Sequence, residues 1–296
     1  MMRILVTGKN GQVDTALQIE GDRLGLEIMR IGRPDVDLSK PETIEAAVRD
    51  LKPHVIISSA AYTAVDKAES EPELAQAVNG DAPGVLARLA AELNIPIVHL
   101  STDCVFSGDK NEPYTEADVP APVSVYGRTK LSGENNVRAA TDNHVILRIS
   151  WVYSSLGNNF VKMMLRLGET RDDITVVADQ HGCPTYAPEA ARALLAIAQQ
   201  VVIDPDPTIR GTFHLAGEGE TTRADFAKAI FKGAEARGHK PVRVNPIATA
   251  DYPTAAKRPA NARLNSDKLD EVYGLRLDPW QDSLDVCLDQ LIITGR

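Results

Sequence analysis

Residues 3–14 read RILVTGKNGQVD, a short apolar run followed at once by a turn that holds two glycines. The run 3–7 has the length and β-branched content of a buried strand, and a helical pattern begins after the second glycine. Glycine in such a turn lets the backbone come close to a pyrophosphate at the N-terminus of the helix. A plain strand-to-helix turn is the alternative. The dinucleotide contacts that we predict here are Gly8, Asn10, Gly11, Gln12 and Val13.

The first half of the chain alternates short apolar runs with longer helical patterns. The predicted strands are 3–7, 27–31, 54–60, 96–102 and 144–149. The predicted helices are 12–20, 41–51, 73–93 and 125–140, with Ser39 as the candidate cap of the second. Regular alternation of this kind predicts an α/β fold, a Rossmann-type doubly wound parallel sheet with right-handed crossovers.

After Trp151 the rhythm of the sequence changes. The predicted elements are a helix over 159–167, a strand over 174–178, an Ala-rich helix that ends at 200, a strand over 211–215, a helix over 222–233 capped by Thr221 or Thr222, and an extended binding loop over 248–259. We expect an NAD(P)-binding domain over 1–152, to which a segment at about 186–217 returns. Residues 153–296 are expected to form mainly a smaller C-terminal substrate-binding lobe.

The chain has 296 residues, of which 43% are hydrophobic and 25% charged, as in an ordinary globular enzyme. A net charge of −9 argues against nonspecific nucleic-acid binding. No apolar run approaches the roughly 18 residues of a membrane span, and the N-terminal run is too short for a signal peptide. Three scattered cysteines indicate neither a disulfide framework nor a zinc site, so we expect free thiols, no bound metal and a cytoplasmic location.

Tyr126 and Lys130 are four residues apart in a predicted helix, so their side chains share one face of it. The ammonium group is expected to favour the ionised phenol and to lower a pKa that is about 10 in water. We expect the hydroxyl of Thr102 to contact the same substrate oxygen. Together these groups can pass a proton to or from a carbonyl oxygen while a cofactor transfers hydride. The pattern alone is weak, because many such pairs simply lie on a helix surface.

The region after the second predicted strand bears on the choice of cofactor. NAD-binding folds usually have an acid there, about 20 residues beyond the loop. This chain has Arg33 instead, which favours the 2′-phosphate of NADPH, with NADH as the alternative. Asp37 and Leu38 either contact the adenine or cap the next helix. Asp14 stands where a third glycine would let the helix pack closely on the sheet, and its bulk and charge are expected to weaken or shift cofactor binding.

Several longer blocks carry a resemblance to a known family. They are AAYTAVDKAE (60–69), STDCVFSG (101–108), YGRTKLSGE (126–134), RISWVY (148–153) and DQHGCPT (179–185), together with the glycine loop. Over nearly its whole length the chain resembles the dTDP-4-dehydrorhamnose reductases, which are extended short-chain dehydrogenase/reductases. The resemblance implies NADPH-dependent reduction of the C4 ketone of dTDP-4-dehydro-6-deoxy-L-mannose to dTDP-L-rhamnose, a precursor of cell-surface polysaccharides.

The resemblance also implies roles for individual residues. Tyr126 is expected to donate a proton to the C4 oxygen, Thr102 to hydrogen-bond that oxygen, and Lys130 to bind the nicotinamide ribose. Ala60 and Ala61 are expected beside the cofactor. The expected contacts to the nucleotide-sugar substrate are Thr102, Asp103, Cys104, Trp151, Asn158, Gln180, Thr185 and Arg258. For Trp151 the alternative is a core position under the second lobe.

Two positions depart from the family pattern. Cys104 replaces a tyrosine, so a phenol that faces the sugar is missing, and the exact sugar and its nucleotide (dTDP, UDP or GDP) stay open. No base is visible that would make its thiol a nucleophile. Ala16 replaces a glutamate through which some relatives bridge a dimer with Mg²⁺, so we expect no metal there and either a monomer or a homodimer.

Two other functions remain open on the sequence. One is a nucleotide-sugar epimerase or dehydratase, although a dehydratase would need a second acid after Asp103, which Cys104 does not supply. The other is a non-catalytic, NADP-binding regulatory subunit of the methionine adenosyltransferase type. Asp14 and Cys104 keep that function open. The intact set of Thr102, Tyr126 and Lys130 argues against it.

Overall fold

The computed structural model describes residues 1–295. Its strands, in chain order, are β1 (Arg3–Thr7), β2 (Glu27–Ile31), β3 (Val55–Ser58), β4 (Ile97–Thr102), β5 (His144–Ile149), β6 (Val152–Tyr153), β7 (Asp173–Val177), β8 (His181–Gly182), β9 (Thr185–Tyr186), β10 (Gly211–Leu215), β11 (Thr221–Thr222), β12 (Arg243–Ile247) and β13 (Asn261–Ala262). Its helices are α1 (Gln12–Arg23), α2 (Pro41–Leu51), α3 (Val65–Ala68), α4 (Pro72–Gln76), α5 (Ala82–Glu92), α6 (Val125–Ala140), α7 (Phe160–Thr170), α8 (Ala187–Ile203), α9 (Arg223–Glu235), α10 (Asp267–Tyr273) and α11 (Trp280–Leu288). No helix among these residues is long and apolar enough to cross a membrane.

Six strands form a parallel sheet in the order β10-β5-β4-β3-β1-β2. The order reverses between β1 and β3, because the chain adds β2 on one side of β1 and the other strands on the opposite side. Such a switch point leaves a crevice at the carboxyl ends of the strands, where open sheets bind their ligands. The predicted doubly wound parallel sheet is confirmed.

Alternate residues of β1 face opposite layers of helices, as the period of a strand requires. Ile4 and Val6 pack in an apolar cluster with Leu17 of α1 and Leu194 of α8. Leu5 packs on the other side, in a cluster formed with α2, α5 and α6. Helix α8 therefore covers the sheet, although it follows the first elements of the second lobe in the chain.

The second lobe is built from short strands and three helices. β7 pairs with β12, β8 lies between β11 and β13, and β6 pairs with β9. Helices α7, α9 and α11 pack around Phe226, whose ring lies 5.7 Å from Phe160 and 5.5 Å from Trp280. The chain returns to the sheet at α8 and β10, and again at α10, where Leu269 joins the cluster of the sheet.

Several predicted boundaries differ from the structure. β3 ends at Ser58 rather than at 60, and α8 continues to Ile203. The predicted helix over 73–93 is α4 and α5 joined by a π-helical turn, Ala77–Asp81. That turn carries Asn79, whose side-chain oxygen accepts from the backbone N–H of Tyr62 at 2.7 Å. Its side-chain nitrogen donates to the backbone oxygen of Tyr62 at 3.2 Å. The wider turn thus supports the loop that follows β3.

The two predicted helix caps have different outcomes. The N-cap of α2 is Lys40, whose side chain makes no cap hydrogen bond, and the hydroxyl of Ser39 instead donates to Asp37 at 2.8 Å. The prediction that Ser39 caps this helix is therefore wrong. Thr222 does cap α9, since its hydroxyl oxygen accepts from the N–H of Asp225 at 3.0 Å.

A buried ion cluster ties α6 to the sheet. The side chain of Glu134 in α6 is fully buried, and Arg148 of β5 donates to both of its oxygens, at 2.9 and 2.8 Å. Ser101 of β4 donates to one oxygen at 2.6 Å and Arg138 of α6 to the other at 2.7 Å. Burial alone would raise the pKa of Glu134, but these donors outweigh it and hold the pKa below its ordinary value.

Removing Arg148 should destabilise the fold far more than removing Arg138. Arg148→Met leaves a buried carboxylate without its bidentate partner, which costs about 3–5 kcal/mol. Arg138→Met removes a partner whose side chain is 34% exposed, and it should cost about 1 kcal/mol or less. Urea unfolding measures both free energies. Equal losses of unfolding free energy in the two variants would contradict the claim that burial makes the Arg148 contact the stronger one.

Candidate active site

A cleft of about 610 Å³ opens at the carboxyl ends of the central strands. One wall is the glycine loop between β1 and α1, and the opposite wall carries Thr102, Tyr126 and Lys130. The predicted phosphate loop and the three predicted catalytic residues therefore face the same space. A second cleft, of about 690 Å³, continues from the loop past the end of β2.

The glycine loop leaves β1 at Gly8, whose φ of +115° is a conformation that residues with a side chain rarely adopt. Gly11 is the N-cap of α1, so free N–H groups at the start of the helix face the cleft. The predicted contacts Gly8, Asn10, Gly11, Gln12 and Val13 all line it. The side chain of Gln12 is already engaged, because its oxygen accepts from Ser154 at 2.8 Å and from Asn159 at 2.9 Å. It joins the loop to the second lobe.

Asp14 lies directly behind this loop. It is only 5% exposed, and it fills the space over both glycines. A Cβ added at Gly11 would lie 2.3 Å from its Oδ1, and one added at Gly8 would lie 2.9 Å from its Cγ. Burial raises the pKa of Asp14 to about 6, and no group of residues 1–295 bonds to its Oδ2. The carboxyl group therefore becomes charged near neutral pH, beside the predicted phosphate site.

The second cleft holds the residues predicted for the adenosine end of the cofactor. It is lined by Arg33, Asp37, Leu38, Ala60 and Ala61, among others. The N–H and the hydroxyl of Ser39 donate to the carboxylate of Asp37 and lower its pKa, and Asp37 does not cap α2. Arg33 is exposed, and within the described part of the chain it forms no ion pair. Its guanidinium group is free to meet a phosphate.

A close approach of α6 to the end of β4 positions Tyr126. Ser124 caps this helix by accepting from the N–H of Gly127 at 3.1 Å. A Cβ added at Gly127 would lie 2.1 Å from the backbone oxygen of Cys104. Glycine is therefore required beside the tyrosine, because a larger residue would push the helix away from the strand end.

Burial controls the protonation of the tyrosine and lysine pair. It lowers the pKa of Lys130 to about 8, and the ammonium group donates to the backbone oxygen of Leu100 at 2.6 Å. Burial also raises the pKa of Tyr126 above its ordinary value, and the nearby Cys104 and Asp103 add to the rise. The expected lowering of the phenol pKa is therefore wrong for this structure. A phenol that keeps its proton at neutral pH suits a proton donor.

The hydroxyl of Thr102 is engaged on two sides. It donates to Asp103 at 2.7 Å and accepts from the N–H of Cys104 at 3.2 Å. Asp103 is buried, which raises the pKa of its carboxyl, and its second oxygen accepts from Ser150 at 2.8 Å. A hydroxyl has one proton to donate. Thr102 can therefore donate to a substrate oxygen only after its hydroxyl turns away from Asp103 or accepts a hydrogen bond from the protonated carboxyl of Asp103.

Cys104 is half-buried and lies close enough to Tyr126 and Arg223 to act on the pKa of both. It does not line the cleft that Thr102 and Tyr126 face. Burial raises the pKa of its thiol, so the sulfur keeps its proton. The predicted substrate contact at Cys104 stays a prediction, and the protonated thiol has no feature of a nucleophile.

Trp151 separates the cleft from a larger cavity of about 940 Å³ in the second lobe, and its indole lines both. Its φ of +44° is a left-handed value that is rare for a bulky residue. A Cβ added at Gly182 would lie 2.3 Å from the indole, and the guanidinium carbon of Arg223 is 3.6 Å from the ring centroid. Trp151 thus packs on the second lobe, as the expected core position requires. It also borders both spaces, as the expected substrate contact requires.

The predicted substrate residues are divided between the two spaces. Gln180 lines the larger cavity and donates to Thr249 at 3.1 Å. Arg258 lines it as well and pairs with Asp66 at 2.7 Å. Asn158 instead lines the cleft on the side of the glycine loop. The larger cavity therefore holds only part of the predicted set.

Thr185 reaches neither space. It is fully buried, and its hydroxyl donates to the backbone oxygen of Cys183 and accepts from the N–H of Gly217, each at 3.2 Å. The prediction that Thr185 contacts the substrate is therefore corrected: its hydroxyl has a structural role. Sequence reasoning missed Thr63, which lines both clefts and the larger cavity, and Arg223. Thr63 lies within the block 60–69 that carried the resemblance, whereas nothing in the sequence distinguishes Arg223.

Replacing Asp14 should make cofactor binding less dependent on pH. Above a pH of about 6 its carboxylate is charged and repels a pyrophosphate, so the affinity of the unaltered chain should fall as the pH rises. Asp14→Asn keeps the size and removes the charge. It should bind NADPH about threefold to tenfold more tightly than the unaltered chain at a pH of about 8, and equally at a pH of about 5. Fluorescence titration gives the dissociation constants, and equal values at the higher pH would refute this role.

Comparisons with known proteins agree on one family. Residues 2–293 match the family model described as the RmlD substrate binding domain. The chain is 49% identical to a dTDP-4-dehydrorhamnose reductase of Sinorhizobium fredii, over all of this chain and 99% of the relative. It is 41% identical to a dTDP-4-dehydrorhamnose reductase of Escherichia coli, over 99% of each chain.

Solved structures give the same result. A dTDP-4-dehydrorhamnose reductase from Clostridium acetobutylicum matches with a TM-score of 0.91 at 37% identity, over 98% of this chain and 99% of that one. A dTDP-4-dehydrorhamnose reductase from Bacillus anthracis, solved in complex with NADP, matches with a TM-score of 0.90 at 34% identity, over 98% of this chain and 100% of that one. A UDP-glucose 4-epimerase from Thermotoga maritima matches with a TM-score of 0.80 over all of both chains. At 19% identity, that likeness concerns the fold alone. By sequence and by structure over nearly its whole length, the chain belongs to the dTDP-4-dehydrorhamnose reductase family.

Proposed function

We propose that this chain reduces the C4 ketone of dTDP-4-dehydro-6-deoxy-L-mannose to dTDP-L-rhamnose with NADPH. The observation that carries the proposal is the single cleft in which Thr102, Tyr126 and Lys130 face the glycine loop. Trp151 lies between that cleft and a cavity of about 940 Å³, a volume that suits a nucleotide sugar. The relatives at 49% and 41% identity are named for this reaction.

Tyr126 is the proton donor in this proposal. NADPH, when bound, supplies the hydride that C4 receives. Tyr126 is protonated at neutral pH, since burial only raises a phenol pKa that is already well above 7, and it donates its phenolic proton to the C4 oxygen. Thr102 hydrogen-bonds the same oxygen, and Lys130 holds the nicotinamide ribose from the next turn of α6. The charge that develops on the oxygen is therefore neutralised by the proton of Tyr126, with Thr102 as a second donor once its hydroxyl is released from Asp103.

The chain's own residues fit the cofactor along the two clefts. The glycine loop and the N-terminus of α1 take the pyrophosphate, and the exposed Arg33 takes the 2′-phosphate. Leu38, Ala60 and Ala61 lie on the adenosine side, with Asp37 next to them. The B. anthracis relative was solved with NADP, which supports the choice of NADPH over NADH.

The two lobes divide the work. The parallel sheet with its helices, including α8, β10 and α10, holds the cofactor, and the second lobe holds the nucleotide sugar. Gln180, Arg258, Trp151 and Asp103 are the proposed substrate contacts, with Asn158 at the side of the glycine loop. Because cells keep NADPH and nucleotide sugars in the cytoplasm, we place the enzyme there, as a monomer or homodimer that supplies the synthesis of cell-surface polysaccharides.

The two alternative functions are not favoured. The epimerase in the comparisons is 19% identical, and that likeness concerns the fold. A non-catalytic regulatory subunit has no need of Thr102, Tyr126 and Lys130 in one cleft, yet all three line it. Full-length relatives named as reductases support the reductase.

Turnover of the sugar nucleotide tests the function and the proton donor together. The purified chain should oxidise NADPH when dTDP-4-dehydrorhamnose is added, and no turnover at saturating substrate would rule the reductase out. Tyr126→Phe should lower kcat by about 10²- to 10⁴-fold with NADPH affinity unchanged, because it removes only the proton that is transferred. Tyr273→Phe removes a hydroxyl that donates to the backbone oxygen of Ile209 outside the clefts and the larger cavity, and this variant should turn over normally. A Tyr126→Phe variant as fast as the unaltered chain would refute the assignment.

Arg33 should determine the preference between the two cofactors. Arg33→Ser should weaken NADPH binding about tenfold and leave NADH binding unchanged, because only NADPH carries the 2′-phosphate. The ratio of the two dissociation constants is the measurement. Arg23→Ser, at the exposed end of α1, removes the same charge outside the clefts and should leave the ratio as it is. The role of Arg33 would be disproved by an unchanged ratio.

A further inference from the structure

Arg223, the first residue of α9, is held against two aromatic rings. Its guanidinium carbon is 3.6 Å from the ring centroid of Trp151 and 5.2 Å from that of Phe160. Stacking uses the face of the guanidinium plane and leaves the N–H donors at its edge free for a ligand. The direction of these donors is therefore fixed before a substrate binds.

Arg223 forms no ion pair within residues 1–295. The two carboxylates that line the larger cavity are engaged elsewhere, since Asp66 pairs with Arg258 and Asp173 with Arg243. Burial lowers the pKa of Arg223 to about 10, which leaves the group a cation at neutral pH. A desolvated cation without a partner is unfavourable, and an anion in the cavity would offset that cost.

Arg223 lies at the end of the cavity nearest to the reacting groups. It lines the cavity with Trp151, which also lines the cleft of Tyr126. Asp103 and Cys104 are close enough to act on its charge. A hexose whose C4 lies at Tyr126 carries its C1 substituent at the opposite side of the ring, one ring width away. In a nucleotide sugar that substituent is a phosphate.

We propose that Arg223 binds the sugar-linked phosphate of the substrate, an inference that rests on the proposed function, and that Trp151 holds the guanidinium group in position for this contact. The edge of a guanidinium group matches a phosphate in a bidentate manner. With the C1 phosphate held, the distance to C4 is set by the sugar ring itself. Arg223 therefore takes part in choosing which carbon of the sugar faces Tyr126.

Steady-state kinetics test this contact. Arg223→Met keeps an aliphatic stem against the indole and removes the donors and the charge. The KM for the sugar nucleotide should rise about 10- to 100-fold, with kcat within about threefold and NADPH affinity unchanged. Arg223→Lys keeps the charge but loses the planar pair of N–H donors, so its KM should lie between those of the unaltered chain and Arg223→Met. Arg166→Met, at an exposed position of α7, removes the same charge outside the cavity and should behave as the unaltered chain.

Calorimetric binding of dTDP and of thymidine identifies the group that Arg223 contacts. Arg223→Met should bind dTDP about tenfold more weakly or worse, and thymidine unchanged. A loss confined to the complete sugar nucleotide, with dTDP affinity intact, would overturn the phosphate contact. So would unchanged KM and dTDP affinity in both Arg223 variants, which a purely structural stack on Trp151 predicts. If the unaltered chain fails to reduce the sugar nucleotide, the proposed function falls, and the dTDP measurement still decides the role of Arg223.

Discussion

The buried carboxylate of Glu134 anchors helix α6, and the geometry of the cleft depends on that anchor. Arg148 ties it to β5 and Ser101 ties it to β4. Lys130 and Tyr126 follow one and two turns nearer the start of the same helix, so their positions relative to the strand ends are fixed by the same contacts. Replacing such a pair with apolar residues is often neutral for stability. We infer that its value here lies in the register between one helix and two strands.

Features that depend on local pattern could be predicted from the sequence, and features that depend on docking could not. The strands and the turn at Gly8 carry their own signals, which is why the doubly wound sheet was predictable. Tyr126 and Lys130 need only one turn of helix to come together. Arg223 reaches Trp151 only because two distant segments pack in the second lobe. Likewise, the sequence shows which residue types are present, but not that backbone groups already use the hydroxyl of Thr185.

Asp14, which departs from the three-glycine loop pattern, and Cys104, which departs from the family pattern, lie at opposite ends of the reacting system. Asp14 fills space behind the pyrophosphate loop, so this chain changes the charge of its cofactor site while the path of the loop is kept. Cys104 removes the phenol that the family pattern has at this position, and Trp151 and Arg223 are among the side chains that line the larger cavity. Thr102, Tyr126 and Lys130 lie between these ends. Asp14 therefore bears on cofactor binding, whereas Cys104 bears on the sugar pocket and also adds to the rise of the pKa of Tyr126.

The shared wall at Trp151 limits how substrate preference can be redesigned. A change there alters the cofactor cleft, the larger cavity and the packing of Gly182 at once, and a replacement must also tolerate a left-handed backbone. The opposite wall is less constrained, because Met163 and Leu167 of α7 line the larger cavity and not the cleft. Methionine is flexible and adapts to new shapes. Directed evolution toward other sugars should therefore accumulate changes on α7 and leave the tryptophan in place.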